Sequence, residues 1–196
     1  MARSLASALG GPLVISTVSR LLVDLNRSIG HPGLFSSVTR GAPAACRAQI
    51  VERHYRPYRA RVESLVERAV SRGRRVIHIS SHSFTPMLNG KTRRADVGLL
   101  YDPARPGEAA LCAGWKASLA GIAPRLRIRR NYPYAGKGDG LTSHLRRCFS
   151  PDAYVGVELE VNQRIVLAAG RPWTALRCTL IDALRASSRA MVQGDL

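Results

Sequence analysis

The chain has 196 residues, 45% of them hydrophobic, which is enough for one compact domain with a sizeable buried core. No apolar run approaches the ~20 residues that a membrane-spanning helix needs. The absence of any CxxC pair argues against a cysteine-based zinc site. The net charge of +17 raises the question of a nucleic-acid partner. Its cations, however, are nearly all arginine and run along the whole chain. The densest clusters, Arg72, Arg74, Arg75 and Arg125, Arg127, Arg129, Arg130, lack the interleaved aromatics of single-strand binders. The expectation is an arginine-rich surface that attracts anionic small molecules, without a specific nucleic-acid interface. Cys46, Cys112, Cys148 and Cys178 are widely spaced and read as reduced thiols, which suits a cytoplasmic protein.

In chain order, the apolar run Leu9 to Ile15 is broken by Gly10, Gly11 and Pro12, so it reads as folded protein rather than a signal peptide. Leu13 to Val18 reads as a short buried strand, and Ser28 to Pro43 as a long ordered loop. Ala44 to Arg72 has helical spacing, with Pro57 set to kink or restart it and Gly73 to stop it. Val76 to Ser80 is a central strand running into a loop that holds His82. Strands Val97 to Tyr101 and Leu126 to Arg130 flank a helix from Glu108 to Ala120. The loop Asn131 to Gly140 suits a lid, and Leu141 to Cys148 a short helix. Tyr154 to Val161 is the clearest strand, with apolar residues alternating against Gly156, Glu158 and Glu160. A helix from about Pro172 to Ala190 closes the chain. Strands separated by helices predict a single α/β domain, a three-layer sandwich with a mixed, largely parallel sheet. Function in such sheets lies at the carboxyl ends of strands, where His82 and Glu160 fall.

The chemistry available there is limited and specific. His82 follows an apolar strand among Ser80, Ser81, Ser83 and Thr85, whose hydroxyls can orient its ring. His78 is ~13 Å away along a regular strand, too far to share a metal. Glu158 and Glu160 share one strand face: on an edge both would be solvated, whereas in a pocket one could serve a reacting water as general base. Asn26 and Arg27 could clamp a carboxylate, or Arg27 could simply pair with Asp24.

Six segments in series carry a resemblance. They are Ser19 to Ser28 (SRLLVDLNRS), His78 to Pro86 (HISSHSFTP), Asp96 to Pro103 (DVGLLYDP), Asn131 to Tyr134 (NYPY), Asp139 to Thr142 (DGLT) and Val157 to Gln163 (VELEVNQ). Together they are similar to the N-formylglutamate amidohydrolase family, across about Leu9 to Leu184. The resemblance implies a zinc-carboxypeptidase-like fold, a Zn2+ cofactor and an N-acylated amino acid as substrate. By position His82 resembles a zinc ligand and Glu160 the catalytic glutamate. Asn26 and Arg27 resemble the carboxylate clamp, and Arg93 and Tyr134 substrate contacts. The family has an earlier histidine motif that supplies further zinc ligands. The eighteen residues before Ser19 contain no histidine, aspartate or glutamate. The expectation is therefore a chain lacking the family's N-terminal metal-binding segment, with an incomplete zinc ligand set. Three functions remain open: the amide hydrolase, an inactive remnant binding an acidic metabolite or partner, and a non-specific nucleic-acid binder. The oligomeric state is open as well.

Overall fold

Val155, Val157, Leu159 and Val161 alternate along one strand, and all four are buried in the largest apolar cluster of the protein. The computed structural model describes residues 1–193. The chain folds as two compact units, each assembled from segments distant in sequence.

The first unit comprises Met1–Gly11, Ile77–Gly138 and the chain from Val155 onward. Its helices are α1 (Ala2–Leu9), α4 (Pro106–Ile122), α6 (Gln163–Ala168) and α7 (Gly170–Gln193). Strands β1 (Val76–Phe84), β4 (Val97–Leu100), β5 (Ile128–Arg130) and β6 (Tyr154–Asn162) form a sheet in the order β1-β6-β4-β5. β2 (Met87–Leu88) and β3 (Lys91–Thr92) make a small antiparallel hairpin across the Asn89-Gly90 turn, both turn residues taking positive φ.

The sheet is mixed: β4 runs parallel to β5 and antiparallel to β6. The Val76 amide donates to the Ala153 carbonyl, joining β1 and β6 at their starts, so these two neighbours run parallel. β6 thus has a partner on each side, which rules out the solvated-edge alternative for Glu158 and Glu160. One sheet face buries Val97, Leu99, Val157 and Leu159 against Leu111, Trp115 and Leu119 of α4 and Leu180 and Leu184 of α7. Trp115 is fully buried and its indole Nε1 donates to the Leu180 carbonyl, linking the two helices through a satisfied polar group. Buried Glu108 accepts from the Asp102 and Gly156 amides and lies beside Arg105, so this carboxylate binds the start of α4 to β6.

The second unit comprises Pro12–Val76 and Asp139–Tyr154. Its helices are α2 (Ala44–Ile50), α3 (Arg56–Val70) and α5 (Leu141–Cys148). Pro57 has no amide hydrogen and its ring crowds the carbonyl four residues back. The helix meets this demand with a π-helical turn at Val51–Tyr55 and restarts at Arg56, the restart that the sequence predicts. Val62 and Val66 of α3 pack with Leu141 and Leu145 of α5, while Val23, Leu34 and Tyr55 form a smaller core.

Three local expectations are corrected. Leu13 to Val18 forms no strand; Leu13 and Ile15 are exposed, and apolar residues without a pairing partner do not make a ladder. Residues 2–9, alanine-rich and stopped by Gly10 in the left-handed conformation, form a helix that the sequence reading missed. His82 lies within β1 rather than in a loop, because β1 extends to Phe84, nine residues long like β6.

Trp115→Ala should cost about 3–5 kcal/mol of stability. Urea unfolding followed by circular dichroism would read this as a lower midpoint.

Candidate functional site

The face of the first unit's sheet opposite α4 and α7 is polar. Carrying the Val76–Ala153 bond along the parallel strands pairs His82 with Glu160 and Ser80 with Glu158. Paired residues of parallel strands point to the same face, ~4.8 Å apart at Cα. On the other side of β6, Glu160 pairs with Gly98 and Glu158 with Leu100. Glu160 is 5% exposed, and Ser80 Oγ lies 2.8 Å from His82 Nε2, which fixes the imidazole. The imidazole and the carboxylate therefore share a row of the sheet, and Gly98 continues that row.

Gly98 is required there by close approach. A Cβ at this position would overlap the Tyr132 carbonyl oxygen, so the chain after β5 crosses the sheet directly over Gly98. Asn131, in the left-handed region at φ 49°, accepts from both the Tyr101 and Gly136 amides through Oδ1. Gly136 lies so close to the Tyr101 main chain that a side chain there would collide with it. Phe84 meets Tyr132 edge-on at 6.3 Å, and the Tyr132–Pro133 peptide bond is cis. Residues 131–136, the first part of the loop Asn131 to Gly140 expected as a lid, are thus anchored at many points. Arg93 and Tyr134, two predicted substrate contacts, are brought together. The guanidinium lies 5.2 Å from the ring centroid and its Nη1 donates to the phenol oxygen at 3.1 Å.

β4 and β6 are tied at their ends by Asp96 and Asn162. The Asp96 carboxylate accepts from the Arg127 amide and pairs with the Arg164 guanidinium. Asn162 donates to the Arg93 and Ala95 carbonyls and caps α6 by accepting from the Arg164 amide. These ties hold the row of His82, Glu160 and Gly98 in register.

In the second unit Asn26 and Arg27 are engaged by their own surroundings. Asn26 Oδ1 accepts from the Leu141 amide at 2.8 Å, capping α5. Arg27 Nη1 donates to the Asp139 carbonyl, and its Nε is 4.0 Å from Asp24, which pairs more closely with Arg20. The Arg27 side chain keeps 37% of its surface exposed. Asp139 accepts from the Ser28 hydroxyl and amide. Burial pushes its carboxyl up, but the two Ser28 hydrogen bonds, with His31 and Arg27 nearby, bring it below its ordinary value.

Comparison with known proteins decides the family. The model of the N-formylglutamate amidohydrolase family matches residues 1–167, from α1 into α6. The chain belongs to the N-formylglutamate amidohydrolase family. It is similar to the crystal structure of a gene product from Agrobacterium tumefaciens, at 27% identity and a TM-score of 0.81, over 97% of this chain and 75% of that one. It also shares its fold with N-formylglutamate amidohydrolase from Ralstonia eutropha, at 19% identity and a TM-score of 0.72, over 98% of this chain and 83% of that one. Among proteins with curated functions, none matches. No helix among the described residues is long and apolar enough to cross a membrane.

A second group of ligand-type side chains went unread in the sequence of this amidohydrolase-family chain. Glu63, His144 and Cys148 offer donor atoms that all lie within 4.8 Å of one another. Burial and the neighbouring Glu63 carboxylate push the Cys148 thiol up from its ordinary value. His144 and Cys148 are four residues apart on α5, a visible signal for one helix face. Glu63 comes from 81 residues earlier than His144, and only folding brings it there.

The Asp139 shift predicts a pH effect with a definite sign. A carboxyl held below its ordinary value of 3.8 contributes stability that is present above that pH and lost as pH falls through the lowered value. Asp139→Asn should therefore lower thermal stability at neutral pH and leave the variant's stability flatter than the parent's on acidification below about pH 4. Parallel melting curves across pH would check this.

Proposed function

We propose that this chain hydrolyses the amide bond of an N-acylated amino acid, N-formylglutamate being the substrate that the family name suggests. The reading rests on the strand register that pairs buried Glu160 of β6 with His82 of neighbouring β1 on one face of the sheet. In the proposed reaction a water adds to the acyl carbonyl while Glu160 takes its proton. The carbon–nitrogen bond then breaks and the proton passes to the leaving nitrogen, so one water is consumed and an acid and an amine are released. His82 is proposed as a zinc ligand, in a family where the metal, when bound, would polarise the carbonyl and acidify the water. His82 and Glu160 alone do not fit such a centre, because catalytic zinc usually takes about three protein ligands. For Arg27 and Asn26 the proposed role is the substrate carboxylate, supported by the exposed part of the guanidinium and its preference for bidentate anions. Arg93 and Tyr134, held as a pair, are proposed as further substrate contacts.

A second reading is a metal-free binder of an acidic metabolite through Arg27. It is favoured by the Ser80 hydroxyl on His82 Nε2, which orients the ring through the chain itself.

Amine release from N-formylglutamate, with zinc supplied, separates the two. Glu160→Gln should lower kcat by about 100-fold or more with the fold intact. A rate equal to the parent's would remove Glu160 from the chemistry. Arg27→Ala should raise KM roughly tenfold or more, the scale of a lost charge-assisted hydrogen bond. Glutamate binding with no turnover in the parent chain would leave only the binder.

A further inference from the structure

We propose that Glu63, His144 and Cys148 form a second metal site, a solvent-facing tripod for a borderline divalent cation of the Zn2+ type, separate from His82. The distances among the donors carry this. His144 Nε2 is 3.6 Å from Glu63 Oε2 and 3.7 Å from Cys148 Sγ, and Cys148 Sγ is 3.8 Å from Glu63 Oε1. Zinc bonds of ~2.0–2.3 Å at tetrahedral angles put neighbouring ligand atoms ~3.3–3.6 Å apart. The imidazole–thiol and imidazole–carboxylate spacings lie close to those edges, the carboxylate turns its other oxygen to the thiol, and one donor atom from each residue falls within 4.8 Å of the other two.

The spacing follows from helix packing within the second unit. His144 and Cys148 are one turn apart on α5, so they share a face. Glu63 neighbours Val62 on α3, and Val62 and Val66 pack with Leu141 and Leu145. The apolar contact that joins the two helices therefore also sets the carboxylate against the imidazole and thiol. All three side chains keep solvent access: Cys148 is exposed, and His144 and Glu63 retain 33% and 40% of their side-chain surface. A cation can enter, and a fourth coordination position is left for water.

The same three residue types could instead suggest a cysteine nucleophile relayed through histidine to glutamate. The geometry opposes this. A relay needs the thiol on one ring nitrogen and the carboxylate on the other. Here both face the same atom, His144 Nε2. Convergence on one ring nitrogen is what a shared cation produces. Thiolate, imidazole and carboxylate together favour zinc-like ions over magnesium or calcium. With the thiol and carboxyl ionised, the ligands carry two negative charges that balance the cation.

The test uses the full chain, stripped with a chelator and titrated with Co2+ and then Zn2+. Co2+ should produce a thiolate-to-cobalt charge-transfer band that saturates at one equivalent and is displaced by Zn2+. Cys148→Ser should abolish the band, and His144→Ala and Glu63→Gln should weaken binding by at least about tenfold. His82→Ala should leave the band intact, which separates this site from the proposed catalytic row. Circular dichroism confirms that each variant is folded. Absence of the band in the parent chain, or its persistence in Cys148→Ser, would overturn the proposal.

Discussion

The parallel pairing of β1 with β6 is the constraint on which the first unit's chemistry depends. It begins at the bond from the Val76 amide to the Ala153 carbonyl. Because side chains alternate along a strand, a slip of one residue would turn every polar group of β6 into the apolar face and every valine out of it. The register is therefore held by the core itself. Val155, Val157, Leu159 and Val161 pack under α4 and α7 only if Glu158 and Glu160 face the other way. The hydrophobic cluster and the acidic row are two consequences of one alternation.

Holding a carboxylate on a central strand is costly, and the surrounding chain is arranged to make it tolerable. A buried polar group needs partners or nearby opposite charge. The polar face is bounded by main chain as well as side chains: Gly98 lets the Tyr132 carbonyl approach, and Asn131 gathers two amides to fix that crossing. The ends of β4 and β6 are closed by Asp96 and Asn162, which bond to main chain on neighbouring segments. Buried Asp96 and Asn162 thus serve the register, and the row of His82 and Glu160 inherits its geometry from them.

The second unit applies a different device, the capture of helix ends by distant loops. α5 begins under Asn26 Oδ1, and the preceding Asp139 binds Ser28 and Arg27. The segment SRLLVDLNRS therefore has a structural role that its resemblance to a substrate clamp does not reveal. Tyr55 adds to it, donating its hydroxyl to the Arg27 carbonyl just before Pro57 restarts the helix. The polar residues of that segment hold the loop that presents Arg27, and the guanidinium keeps exposed surface for another anion.

Much was legible in the amino-acid sequence alone, because alternation and helical spacing are local. The valines of Tyr154 to Val161, the helix Leu141 to Cys148 and the interruption at Pro57 were readable from residue type and period. The family followed from six ordered segments. What local pattern could not reach was pairing. Leu13 to Val18 has strand composition but finds no ladder, and β1 runs past Ser80 because β6 is there to bond it. Gly98 looked like any glycine until the Tyr132 main chain was laid across it. Glu63 gave no sign at all, since its relation to His144 and Cys148 exists only through the contact of α3 with α5. Short-range periodicity is written in the order of residues, whereas neighbours across a sheet or between helices are chosen by which apolar surfaces can be buried together.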